Sequence, residues 1–429
     1  MPSEASPRPG LPAGRERPSV LRRTLAVLAV GAGAVGLVAC GGSDDEPNRG
    51  TSTGSDSLTV YSSLPLTGEA GERAASVSRG EKLALLEAGG RVGGFTVKYV
   101  GTDDGSTDGP GSDPEKVIAN AQTAARDKTA IAFLGGLDGA SSAVSIPVLN
   151  QATVPQVSPL ASYTGLTQAD GAAKGEPDKY YPSGRRTFAR VVPDDAAHAD
   201  AAAGLLAERE CTSLFVLHDR SLDGRGIADA VTLAAPRQEL KIAKTEDVDL
   251  DRDVADDEAE RLLESGADCL FYGGEVDRRA VALLRVLGTR APSVRLFATG
   301  APQAEVVARL GAVAQRLVLT SPELDAENLP ASGRAFLRTY RERYGREPDP
   351  AAIYGYEAMK LVLLGIEAAG ERGNDRQAVI DAILDVRDRR SALGTYSITR
   401  TGDTTLDRFA VRRLDGERLV VDAVLPSGD

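Results

Sequence analysis

FTVKYVGTDDGSTDGPGSDPEKVIANAQTAARDKTAIAFLGG, residues 95–136, is the stretch whose reading decides the fold. It opens with a β-branched and aromatic run and crosses a polar loop of Gly, Ser, Thr and Asp. A helical segment from Pro114 to Arg126 follows, with proline in the first turn, where its missing N–H leaves no helix bond unmade. AIAFLGG, residues 130–136, is a short apolar run of strand character. Strand, helix and strand in this order make a βαβ unit and imply parallel pairing.

The same alternation extends in both directions. LTVYSSL (58–64) reads as a strand, and residues 74–88 as a helix that carries Val77, Leu83, Ala84 and Leu86 and stops at Gly89-Gly90. Residues 141–152 read as a helix and PQVSP (155–159) as a fourth strand. After Val191-Val192-Pro193 the pattern restarts. Helices over 196–208, 226–235, 256–265 and 278–287 alternate with SLFVLHD, LKIAKTEDVD, CLFYGG and VRLFATG. Two rounds predict an α/β protein of two doubly wound parallel-sheet lobes. The remainder starts no third round: helices are expected over 331–344, 351–369 and 377–384, then GTYSITRTGD and FAVRRL as two antiparallel strands. A tail of this kind is best used by packing back on the lobes. The expected division is 58–190 with about 321–395 in lobe one, and 191–320 with about 396–429 in lobe two.

Ahead of the fold stands a different kind of sequence. Arg15, Arg17, Arg22 and Arg23 flank an apolar run, Thr24 to Ala39, that ends in LVAC at Leu37 to Cys40. The run is too short, and too rich in Gly and Ala, for a spanning helix. Followed at once by polar GGSDDEPNRGTSTGSDS, it resembles a bacterial lipoprotein signal over 1–39, with Cys40 as the lipidated residue and 40–57 as a flexible tether. An ordinary secretory signal with a chance cysteine is the alternative. The Arg22-Arg23 pair leaves the choice between general and twin-arginine export open.

Composition narrows the function classes. The 429 residues carry 50 Lys and Arg against 62 Asp and Glu, a formal charge of −12. Loss of residues 1–39, with five arginines and two glutamates, takes it to −15. With no basic tract, an electrostatic footprint for nucleic acid is missing, and membrane contact is expected only through the lipid anchor. Two cysteines then remain, Cys211 and Cys269, each just before a strand. An even pair in an oxidising compartment is a candidate disulfide, with two separate buried thiols as the alternative.

Several fragments together resemble one known family. LPLTG (64–68), Asp103-Asp104, LGG (134–136) and VPQVSPLAS (154–162) are followed in the same order by FARVVPDD (188–195), LHD (217–219) and FYGG (271–274), then AIYGYEAM (352–359) and TGD (401–403). The order is similar to that of type I periplasmic binding proteins, in particular the branched-chain amino acid (Leu/Ile/Val) binding proteins of ABC transporters. The resemblance implies two lobes joined by three crossovers as a hinge, a small-molecule ligand in the cleft, and an ABC permease as partner. In the amino acid binders, a Ser after strand three and a small hydroxyl residue after the Ser-Pro of strand four hold the ligand carboxylate. The second corresponds to Ser162, with Tyr163 beside it, and the first falls on Gly139, beside Asp138. The second-lobe partners, a Tyr and a Glu, fall on Glu275 and near Ala301.

These departures put an α-amino acid in the usual pose in doubt. Asp138 and Glu275 each precede a helix, so each has a capping or dipole role to set beside ligand contact. If both line the cleft, a cationic or polyhydroxylated ligand is favoured over an anionic one. Tyr61 and Ser62 are wall candidates with core as the alternative. Arg73 reads as solvated, Asp219 and Asp223 as caps, Tyr354 and Tyr356 as core. Enzyme chemistry finds no support: the two histidines, His198 and His218, stand without HExxH, CxxC, Gly-x-Ser-x-Gly or a phosphate loop. No clustered ligand set implies a cofactor or metal. A transporter's binding protein, a ligand-sensing lipoprotein and a structural envelope lipoprotein with a degenerate cleft remain.

Overall fold

The structure, a computed structural model, describes residues 51–427 except 108, 110 and 301. The signal segment, Cys40, most of the tether and Ala301 lie outside the described residues. The first round runs β1 (Ser57–Leu64), α1 (Gly71–Glu87), β2 (Arg91–Val92), β3 (Phe95–Asp103), α2 (Pro114–Arg126), β4 (Ala130–Leu134), α3 (Gly139–Gln151), β5 (Gln156–Ser158) and β6 (Phe188–Arg190). Its sheet has the order β2-β3-β1-β4-β5-β6, parallel except for the edge strand β2. Every residue of β4 is buried, as a central strand covered on both faces requires. Pro114 opens α2 as expected, and Asp113 caps it by accepting from the Glu115 and Lys116 amides.

The second round is α4 (Asp195–Glu208), β7 (Ser213–Asp219), α5 (Leu222–Ala234), β8 (Lys241–Val248), α6 (Ala255–Ser265), β9 (Cys269–Gly273), α7 (Arg278–Arg290), β10 (Arg295–Thr299), α8 (Ala304–Ala308) and β11 (Leu317–Ser321). Then α9 (Ala331–Tyr344), α10 (Ala352–Ala368) and α11 (Arg376–Leu384) return to the first lobe, where Ile353, Met359, Ile380 and Ile383 share a core with Leu58, Val60 and Leu83. The chain ends with β12 (Arg389–Arg390), β13 (Thr395–Tyr396), β14 (Arg408–Asp415) and β15 (Arg418–Pro426). The last two extend the second sheet, of order β15-β14-β11-β10-β9-β7-β8. The chain thus passes between the sheets three times: from β6 to α4, from β11 to α9 and from β13 to β14.

Three expectations are corrected. GTYSITRTGD and FAVRRL do not pair: β13 pairs with β12, and β14 pairs with β15. The intervening segment is held elsewhere, because Asp403 is ion-paired to the buried Arg190. The tether does not run to residue 57. The Thr53 amide donates to the Asn374 carbonyl and the Arg376 amide to the Thr51 carbonyl, which pins the chain to the start of α11. Arg73 is not merely solvated, since it pairs with Glu323 and with Asp349.

Cys211 and Cys269 form a disulfide, their Cα atoms 5.8 Å apart. Adjacent parallel strands bring the two together: Leu214 of β7 lies opposite Cys269 of β9.

Candidate functional site

The carboxyl ends of both sheets face each other, and the loops beyond them meet. In lobe one, β4 runs through Gly135-Gly136 to Asp138, the N-cap of α3. Its carboxylate accepts from the Ser141 amide at 2.6 Å, and the Ser141 hydroxyl donates back to the Asp138 carbonyl at 3.0 Å. The capping role is thereby realised. Gly139 follows, and its amide donates across the cleft to Asp223 Oδ1 of α5 at 2.7 Å. A Cβ at Gly139 would stand 2.6 Å from that oxygen and 2.7 Å from Tyr163 Cβ, so this close approach requires glycine.

The loop after β5 joins the same place. The Ser158 hydroxyl donates to the Gly136 carbonyl at 2.8 Å and accepts from the Ala161 amide at 2.9 Å, which binds the two strand-end loops together. The Ser162 carbonyl accepts from the amide of Asp195, the first residue of α4. Tyr163 is buried, and its hydroxyl donates to Glu176 at 2.5 Å. Its ring lies where a Cβ on Gly226 of α5 would intrude, 2.5 Å from Tyr163 Cδ2. Tyr163 is therefore a wall between the lobes, with its polar end already used.

Lobe two supplies Asp219 at the end of β7, Asp223 in the first turn of α5, and Glu275 beyond β9. Ser221 caps α5, and Asp277 caps α7 by accepting from the Arg279 and Ala280 amides. Glu275 thus has no capping duty. Its side chain is exposed at the cleft mouth, its amide donates to Asp219 Oδ2 at 3.3 Å, and it lies in the field of Arg73 from lobe one. Tyr272 is fully buried, and its hydroxyl has no hydrogen-bond partner among the described residues. Tyr61 and Ser62 turn away from the cleft, to Asp127 and Glu81.

The electrostatics are those of crowded acids. Asp195 is 3% exposed and its Oδ2 has no hydrogen-bond partner among the described residues. Burial pushes it up to about 7, against the pull of Ser162 and Arg190. Asp223 is raised well above the carboxylate range by burial, then by Asp138 and Asp195. Asp104, at the end of β3, is pushed up to about 6 by burial, with Asp138 and Asp103 adding to the rise.

The first and third crossings lock onto each other behind the cleft. Arg190, fully buried, donates through Nε to Asp403 Oδ1 at 2.8 Å and through Nη1 to the Tyr163 carbonyl at 2.9 Å. FARVVPDD and TGD, distant in sequence, therefore meet at one ion pair.

A two-lobed frame with this cleft matches a known family model. Residues 62–418 match the family described as periplasmic binding protein. The chain belongs to the periplasmic binding protein family. Its members are extracytoplasmic solute binders rather than enzymes. The chain is 25% identical over 371 residues to a protein of Brucella melitensis called Leu/Ile/Val-binding protein homolog 3, covering 85% of this chain and 93% of that one. A leucine binding protein from Thermotoga maritima superposes with a TM-score of 0.72 at 20% identity, over 86% of this chain and 99% of that one. A solute binding protein of an ABC transporter from Rhodopseudomonas palustris, solved with p-hydroxybenzoic acid, gives 0.71 at 18% identity, over 87% and 98%.

Among the sequence-derived site residues, the structure brings Asp138, Gly139, Ser162 and Tyr163 together and places Glu275 at the mouth. Asp195, which the sequence reading did not single out, and Asp223, which it read as a cap, stand beside them. The signal for Asp195 was the second Asp of FARVVPDD, one acid more than a cap needs.

Proposed function

We propose that the chain is a solute-binding lipoprotein at the outer face of the cell membrane, anchored through Cys40, which closes on a small polar ligand and delivers it to an ABC importer. The observation that carries this reading is the convergence of both lobes' strand-end loops at Gly139 and Asp223. The names of its relatives support it, since they include a Leu/Ile/Val-binding homologue and a hydroxybenzoate complex. Ser162, Asp138, Gly139 and Glu275 are the proposed ligand-facing positions in this reading, with Tyr163 as wall and Ala301 on the loop after β10.

A melting-temperature screen of the purified protein against amino acids, aromatic acids and amines tests it, because a ligand that binds only the folded state must raise the midpoint. At least one class should do so and should also shrink the radius of gyration in solution scattering. No response of either kind to any class would remove the transport reading. Acylation is checked by the mass of the N-terminal peptide, and Cys40→Ser should release the protein from the membrane.

The Gly139–Asp223 bond also favours a second reading, because it joins the lobes through the protein's own groups at the place where a ligand would bridge them. In that reading the protein is a ligand-sensing or structural envelope lipoprotein with a degenerate cleft. Solute uptake unchanged in a deletion strain, together with an inert screen, would select it.

A further inference from the structure

An amide-rich helix start at the base of a cleft ordinarily invites an anion. Here that invitation is already taken up from within. The Gly139 amide is given to Asp223 and the Ser141 amide to Asp138. An incoming carboxylate would displace one protein carboxylate and lie against the other.

The surroundings are acidic and unpaired. None of Asp138, Asp195, Asp223 and Glu275 forms a direct ion pair with Lys or Arg among the described residues, Arg190 and Arg73 reaching Asp195 and Glu275 only through their field, and the buried Asp195 Oδ2 has no hydrogen-bond partner among the described residues. That oxygen points at the same helix that carries Asp223, 3.1 Å from where a Cβ on Gly226 would stand. Independently, the fully buried Tyr272 hydroxyl lacks a partner beside Gly274 and Asp219. Buried carboxylates without a counter-charge are costly and are relieved by a proton or a cation. No three His, Cys, Asp or Glu groups among the described residues come together as a metal site, so the relieving charge is better spread over an organic group.

We infer that the cleft takes an organic cation, a ligand bearing an ammonium or amidinium group and no carboxylate, held between Asp195 and Asp223. Asp138 and Glu275 extend the negative field towards the mouth. Tyr163 supplies an aromatic wall of the kind that suits a cation, and Tyr272 an acceptor or donor for a second polar group. This rests on the solute-binding reading and names the charge of its ligand.

Calorimetric titration of the purified protein with 1,4-diaminobutane, agmatine and choline, beside leucine and 4-hydroxybenzoate, decides it. At least one amine should bind, the two carboxylates should not, and Asp195→Asn and Asp223→Asn should each weaken the amine at least tenfold. Asp195→Asn keeps the shape of the side chain and an oxygen that can accept from Ser162, so its unliganded melting temperature should not fall, which separates lost binding from lost folding. Binding of leucine or 4-hydroxybenzoate with silent amines would overturn the inference and leave solute binding standing. Amine binding untouched by both variants would overturn it too. A wholly silent panel would overturn both.

Discussion

Asp195 shows how one side chain, placed where water cannot reach it, acquires a titration near neutrality. Its pKa moves from an ordinary 3.8 to about 7 through burial, opposed by Ser162 and Arg190 and reinforced by Asp194. Between those values the folded chain keeps a proton that the unfolded chain has lost, so this contribution to stability falls as pH rises. Glu81, pushed up to about 7, and Asp104, at about 6, act in the same direction, both through burial. His198 acts oppositely, because burial lowers it to about 4 and the unfolded chain gains the proton first. Calorimetric melting at pH 5.5 and pH 8 should therefore show a smaller loss for Asp195→Asn than for the unaltered chain, a difference of about 2 °C or more. Parallel behaviour would place the Asp195 proton elsewhere. The capping duty of Asp138 was readable in sequence because a cap is local. The reach of Asp223 was not, because its partner Gly139 stands 84 residues away and nothing in the spacing signals it.

At the level of elements, α1 and α10 pack backbone against backbone. A Cβ on Gly80 would fall 2.1 Å from the Ala352 carbonyl oxygen, and one on Gly355 would fall 2.4 Å from that of Val77, so the two backbones touch. Alanine is ordinarily the better helix former, yet Gly355→Ala should cost about 3 kcal/mol in urea unfolding, because overpacking outweighs propensity. A stabilised variant would mean that the helices separate freely. The disulfide acts on a different pair. It closes a loop across a sequence separation of 58, for which chain entropy gives about 4 kcal/mol. A Cys211→Ser, Cys269→Ser double variant should lose most of that, and unfolding midpoints with and without reductant measure it. Strands and helices were legible because apolar spacing reports them directly. The terminal pairing was not, because GTYSITRTGD has strand composition while its TGD is committed to Arg190. Tyr163 was legible as a cleft residue, but its commitment to Glu176 depends on a loop that carries no periodic signal.

Across the whole molecule, the three crossings are not equivalent springs. Arg190 on the first and Asp403 on the third form a buried pair, while Arg412 of β14 donates to the Glu323 carbonyl and to Asp325 at the second. Removing one member of a buried pair strands the other, so Asp403→Ala should cost about 3 kcal/mol or more. Asp403→Asn, which keeps an acceptor for Arg190, should cost less. Equal losses in denaturant titration would show that packing at 403, not charge, joins the crossings. The two-lobed plan was legible from the restart after Pro193, because a second βα round is a pattern of the chain itself. Which residues would close the cleft was not, since closure depends on side chains from opposite lobes. The seating of Thr51 and Thr53 on Asn374 and Arg376 has a mechanical consequence. A pull on the chain ahead of Thr51 enters the first lobe alone, at the start of α11 and just ahead of β1, and bypasses all three crossings. In the closing motion proposed above, the first lobe would then be the stationary jaw and the second the moving one, and the swing between them would bear none of the strain from whatever holds the amino-terminal end.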